Sequence, residues 1–159
     1  MDQRPVFPAW HAAPPDAFTP DRELVQRWLD AYVRAWKSYD ATEIADLWTE
    51  DAVWLYPFEA RARGRTGITA AWLAEKHLFE PGTYDAAYEP IAVDGSLVVT
   101  HGRTLFFDPD TGVTRAEFDN VWVLRFAPDG RCTEFHEWYA GLPEHDPTRA
   151  IPDKGDASI

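Results

Sequence analysis

The chain has 159 residues, 45% apolar and 14% aromatic, with a net charge of −12. That length bounds it to one domain with a real core, and its aromatic content is what a disordered chain lacks. The acidity excludes the basic face of a nucleic-acid binder and the basic patch of an anionic-membrane binder, because the largest basic cluster is only Arg61, Arg63 and Arg65. No apolar run approaches the roughly 20 residues of a membrane-spanning helix. The lone Cys132 allows no internal disulfide and fits a reducing cytoplasm.

Residues 1–20 carry Pro at positions 5, 8, 14, 15 and 20 and no apolar stretch of the signal-peptide kind; they read as an extended arm. Asp21 or Thr19 can cap a first helix. On it Leu24, Trp28, Tyr32, Ala35, Trp36 and Tyr39 recur at three- and four-residue spacing, with an end near Ser38. Asp40 or Thr42 starts a second, short helix with Ile44, Leu47 and Trp48 facing in. Residues 52–58 read as a strand with Pro57 at its exit. Arg63-Gly64-Arg65 reads as a basic turn, and residues 66–78 as a third helix.

Strands are predicted over 83–93, 96–107, 113–126 and 131–140. The linkers Asp94-Gly95, Asp108 to Gly112 and Pro128-Asp129-Gly130 have hairpin turn chemistry. Residues 142–159 are a polar tail. The order predicts an α+β cone spanning 21–141: a curved, mostly antiparallel sheet wrapped around about three N-terminal helices, with an internal pocket.

Alternation puts Ala116, Phe118, Asn120, Trp122, Leu124 and Phe126 on the core face of the third long strand. If Asp108 pairs with Val113 across the turn, facing residues have indices that sum to an odd number. Val99, His101, Arg103 and Leu105 are then also inward, and a one-residue slip would turn all four outward. The last strand has two readings. Either Phe135, Glu137 and Tyr139 face in, or His136 and Glu134 do.

Asp51-Ala52-Val53 before a strand ending in Tyr56-Pro57, Gly64-Arg65 with Ile68 opening a helix, and Val123-Leu124-Arg125-Phe126 with Gly130-Arg131 recur in a known family. On these motifs residues 21–141 resemble the nuclear transport factor 2-like superfamily, in its SnoaL-like and ketosteroid-isomerase-like branch. The resemblance implies the cone fold and homodimerisation through the outer sheet face. It does not fix a reaction, because the fold hosts isomerases, dehydratases, cyclases, epoxide hydrolases and binders. The isomerases' oxyanion-stabilising Tyr falls on Tyr32. Their catalytic Asp falls on Tyr56 and their second Asp on Trp122, so the chain is unlike a ketosteroid isomerase.

Three residues are the catalytic candidates. His101 can move a proton near neutral pH, Glu137 is a general base if buried, and Tyr32 can hold an oxyanion. The structural alternative for His101 is a satisfied core histidine. Arg103 either orients an anionic group or pairs with Glu134 or Glu137. Trp36, Trp54, Tyr56, Trp72, Arg103, Asn120, Trp122, Phe135 and Tyr139 are the ligand-contact candidates, lining a pocket for a small hydrophobic molecule. No metal motif and no cofactor loop is legible. Two functions follow: a cofactor-independent lyase, isomerase or cyclase, or a non-catalytic ligand-binding or dimeric interaction domain.

Overall fold

A computed structural model describes residues 17–56 and 59–141; most of the 1–20 arm, Pro57 and the 142–159 tail lie outside the described residues. Helix α1, Arg22–Ser38, begins where the Asp21 carboxylate accepts the Leu24 N–H at 2.7 Å. It ends at Tyr39, which takes the left-handed conformation (φ 49°). Val25, Trp28, Leu29, Tyr32 and Ala35 form its buried stripe. Asp40 caps the short helix α2, Ala41–Asp46, by accepting from the N–H groups of Thr42 and Glu43.

Strand β1, Trp48–Tyr56, starts four residues earlier than the sequence reading, and Trp48 remains fully buried as its first residue. Ahead of the basic turn Arg63-Gly64-Arg65 lies a strand the sequence reading did not have, β2 (Glu59–Arg63), antiparallel to β1 at the sheet edge; Arg63 ends it, and Gly64 and Arg65 begin the next helix. The arginines of β2 suit an edge, since charge there discourages pairing with another chain. Gly64 (φ 71°) opens helix α3, Gly64–Glu75, and a Cβ there would press on the Glu50 carbonyl at 3.2 Å.

Strands β3 (Tyr84–Asp94), β4 (Leu97–Phe107), β5 (Thr114–Phe126) and β6 (Cys132–Gly141) follow as consecutive antiparallel neighbours. The full order is β2-β1-β6-β5-β4-β3, and β1 meets β6 in the one parallel pairing among the described residues. The α+β cone is therefore as expected, with an open six-stranded sheet. Among the described residues, no helix is long and apolar enough to cross a membrane.

Helices α1 and α3 cover the inner face. Trp28 sits at the centre, its indole N–H donating to the Leu47 carbonyl at 3.0 Å and its ring edge-on to Trp48 and Phe126. Arg22 and Gln26 fasten α1 to β3 through the carbonyls of Pro90 and Tyr88.

One registry expectation is overturned. The Asp108 N–H does bond the Val113 carbonyl at 2.9 Å, and Phe107 pairs with Thr114. Phe106, however, pairs with Ala116, leaving Arg115 as an extra residue. This β-bulge changes the parity of the pairing, which stays even through Val98 and Leu124. Val98, Thr100, Gly102 and Thr104 therefore face in, all buried, while Val99, His101, Arg103 and Leu105 face out. The inward set on β5 is as predicted.

Candidate functional site

Between the helices and the concave face lies a recess of about 240 Å³, and eleven of its fifteen lining residues are aromatic. At its floor is Glu137 on β6. The Trp122–Glu137 pairing across β5 and β6 sets its position, with Phe135 inward two residues before and Tyr139 two after. The first of the two readings of the last strand is thus correct.

Glu137 accepts the Trp122 indole N–H at 3.2 Å and a second hydrogen bond from the Asn120 amide. Behind Asn120 runs a chain of donors. The Thr104 hydroxyl donates to Asn120 Oδ1 at 3.2 Å, so Tyr88 must donate its own hydroxyl proton to Thr104, at 2.8 Å. The chain fixes the Asn120 amide with its NH₂ toward Glu137.

Burial pushes the Glu137 carboxyl from its ordinary 4.5 up to about 7, against the opposing pull of Trp122, Asn120 and the Arg61 charge. Desolvation wins because the two hydrogen bonds come from neutral groups and Arg61 is already ion-paired with Glu75.

Tyr32 enters the recess from α1. Its ring stacks on Phe135 with centroids 5.7 Å apart and meets Trp72 edge-on. Its hydroxyl has no hydrogen-bond partner among the described residues. Burial first, and then the nearby Glu137 charge, hold the phenol well above its ordinary pKa, so it remains a protonated donor. At the rim the Arg61 guanidinium lies over Trp54 and Tyr56, 5.6 and 5.4 Å from the ring centroids, and pairs with Glu75.

Of the sequence candidates, Glu137, Tyr32, Trp36, Trp54, Tyr56, Trp72, Asn120 and Tyr139 line the recess. Trp122 lies beneath Glu137, and Phe135 is wholly buried beneath Tyr32. His101 and Arg103 are not brought to the site. The bulge turns both to the outer face, where His101 Nε2 meets Asp119 at 2.9 Å and Arg103 meets Glu117 at 2.8 Å. His136 is likewise outward, 2.6 Å from Glu134.

Sequence reasoning missed Tyr88, Thr104 and Glu75. The signal for the first two was Gly102: a glycine inside a strand marks a close approach, here by the Tyr88 ring. Among the described residues, no three His, Cys, Asp or Glu side chains are grouped as a metal site would group them.

The structure is thus an α+β cone with a carboxylate in an aromatic-lined recess. Residues 29–135 match the SnoaL-like domain family, and the chain belongs to it. No protein of curated function matches the sequence. Among solved structures, a SnoaL-like protein of unknown function from Burkholderia thailandensis is 20% identical, with a TM-score of 0.56, covering 77% of this chain and 99% of its own. A candidate ketosteroid isomerase from Kribbella flavida is 19% identical (TM-score 0.54; 78% and 83% covered). An LEH-like epoxide hydrolase from M. tuberculosis is 17% identical (TM-score 0.54; 76% and 86% covered). These likenesses show the shared fold.

Proposed function

We propose that the recess binds a small molecule with an apolar body and an oxygen function, and that the protein is a cofactor-independent lyase, isomerase or cyclase. The observation behind this is a buried carboxylate poised near neutrality beside a phenol with no hydrogen-bond partner among the described residues. A base near pKa 7 is about half ionised at neutral pH, which suits it both to take a proton and to return one. Glu137 removes a proton from carbon next to a carbonyl. The electron pair moves onto the carbonyl oxygen, and Tyr32 donates its hydrogen bond to that oxyanion. Glu137, now protonated, returns the proton to a second carbon or to a departing oxygen.

The test is deuterium exchange into a panel of small cyclic ketones, followed by proton NMR. Exchange catalysed by the wild type and lost in Glu137→Gln is the expected result. Ketone binding without any exchange would reduce the protein to a ligand-binding domain, the other reading of the sequence.

We also propose a homodimer through the outer sheet face, where Val121 is exposed beside the His101–Asp119 and Arg103–Glu117 pairs. Sedimentation equilibrium should give a dimer for the wild type and a monomer for Val121→Glu; a wild-type monomer at high micromolar concentration would end the idea. The fully buried Cys132, whose thiol burial pushes well above its ordinary pKa, fits the proposed cytoplasmic setting.

A further inference from the structure

The recess is one positive charge short. Its lining holds two carboxylates, Glu75 and Glu137. Arg61, the cation at its rim, is ion-paired with Glu75. Glu137 is met at the floor by neutral donors only, the Trp122 indole and the Asn120 amide. Beside it Tyr32 and Tyr88 line the recess, both packed on the buried ring of Trp122 beneath, with centroids 4.8 Å (Tyr32–Trp122) and 3.9 Å (Tyr88–Trp122) apart.

The rim shows what such a combination holds. There, two aromatic rings and a carboxylate grip the guanidinium of Arg61. The floor repeats the combination, with rings and a carboxylate but no cation. Aromatic faces attract cations through their quadrupole, most strongly where water is excluded, and a carboxylate adds full charge. The Tyr32 hydroxyl, in the recess lining and without a partner among the described residues, offers a lone pair to an ammonium N–H as well as a proton to an oxygen. At long range the net charge of −12 favours the approach of cations over anions.

We propose that the ligand of this recess is a small organic cation, an amine or quaternary ammonium on an apolar body, with its positive charge seated against Glu137 beside the rings of Tyr32 and Tyr88. This deepens the reading of the recess as a ligand site and rests on it. It departs from that reading in one respect: charge, and not apolar shape alone, selects the ligand. A volume of about 240 Å³ fits a single-ring compound with a few further heavy atoms.

The test uses two probes of one shape. Phenyltrimethylammonium and tert-butylbenzene differ by one atom and one charge, and neither titrates. Isothermal titration calorimetry of the whole chain should show the cation binding about tenfold tighter or more, as a desolvated cation–π site with a carboxylate requires. Glu137→Gln, nearly the same size, should erase that preference while tert-butylbenzene binding persists. Equal affinity for the two probes, or binding of the neutral one alone, overturns the cation proposal and leaves the recess as a site for neutral molecules. A preference retained in Glu137→Gln overturns the role given to that residue. Binding of neither probe overturns both this inference and the reading it rests on.

Discussion

Glu137→Gln should lower turnover by about 10²–10⁴-fold, the usual worth of a positioned proton-transfer group, and should make the protein more stable above pH 7. The two effects share one cause. Glu137 titrates near 7 in the folded protein against an ordinary 4.5. Below pH 4.5 the carboxyl is protonated in both folded and unfolded chains, so it contributes no pH dependence. Between 4.5 and 7 the unfolded chain gives up its proton first, and stability falls as pH rises. Above 7 the full penalty applies, up to about 3 kcal/mol at 1.36 kcal/mol per pKa unit.

Glutamine does not titrate and keeps one carbonyl oxygen for the Trp122 indole. The advantage of the variant should therefore grow from pH 5 to pH 8 and then level off, reduced by whatever is lost at Asn120. Urea unfolding at the two pH values measures it. A variant equally destabilised at both would mean that Glu137 is a structural acceptor and not a strained, functional acid.

Gly102→Ala is expected to destabilise the fold by about 3 kcal/mol, the upper range for overpacking. Gly102 lies opposite both Tyr88 on β3 and Asn120 on β5. A methyl group there would overlap the Tyr88 ring and the Ala87 carbonyl oxygen. The ring can swing aside, but the carbonyl belongs to the β3–β4 ladder and cannot. A displaced Tyr88 would also abandon Thr104, freeing the Asn120 amide to turn away from Glu137. Activity should therefore fall further than the folded fraction alone explains. An unchanged urea midpoint would show that the strands separate at little cost, contrary to the close approach described.

Much of the cone was legible because its signals are local. Asp21 and Asp40 announce helix starts, and the α1 stripe and the β5 alternation each need only one element. The faces of β4 were not legible from its own residues, since Leu97-Val98-Val99 is apolar on both parities. Their direction depends on the turn, where Asp108 does bond Val113. The bulge at Arg115 then reversed the result.

Charge pairing across the strands marks the true register. Even pairing sets His101 against Val121 but beside Asp119, and puts Arg103 directly across from Asp119 with Glu117 next to it. Opposite charges facing each other across strands stabilise a pair. Odd pairing would have placed Arg103 against Phe118. Of the candidate site, Tyr32 and Asn120 were legible because their own helix or strand fixes their direction, whereas β6 has aromatics on both faces and Glu137 is turned inward by its pairing with Trp122 on β5. Tyr88, Thr104 and Glu75 were missed because only the assembled sheet brings them to the same cavity.

The one parallel pairing bears on the order in which the chain acquires its shape. Strands β3 to β6 zip together through short hairpins, whereas β1 must find β6 across most of the domain: Trp48 meets Cys132, and Trp54 meets Phe135. Closing so long a loop is the slow kind of contact, made after the local ones. The recess wall formed by Trp54 and Tyr56 is therefore the last to be installed, and in a stopped-flow refolding experiment the capacity to bind a probe should lag behind the far-ultraviolet signal of the hairpins. A chain stalled before that step would have four of the six strands paired and no complete site, so that for this protein gaining a binding cavity and completing the fold are one event.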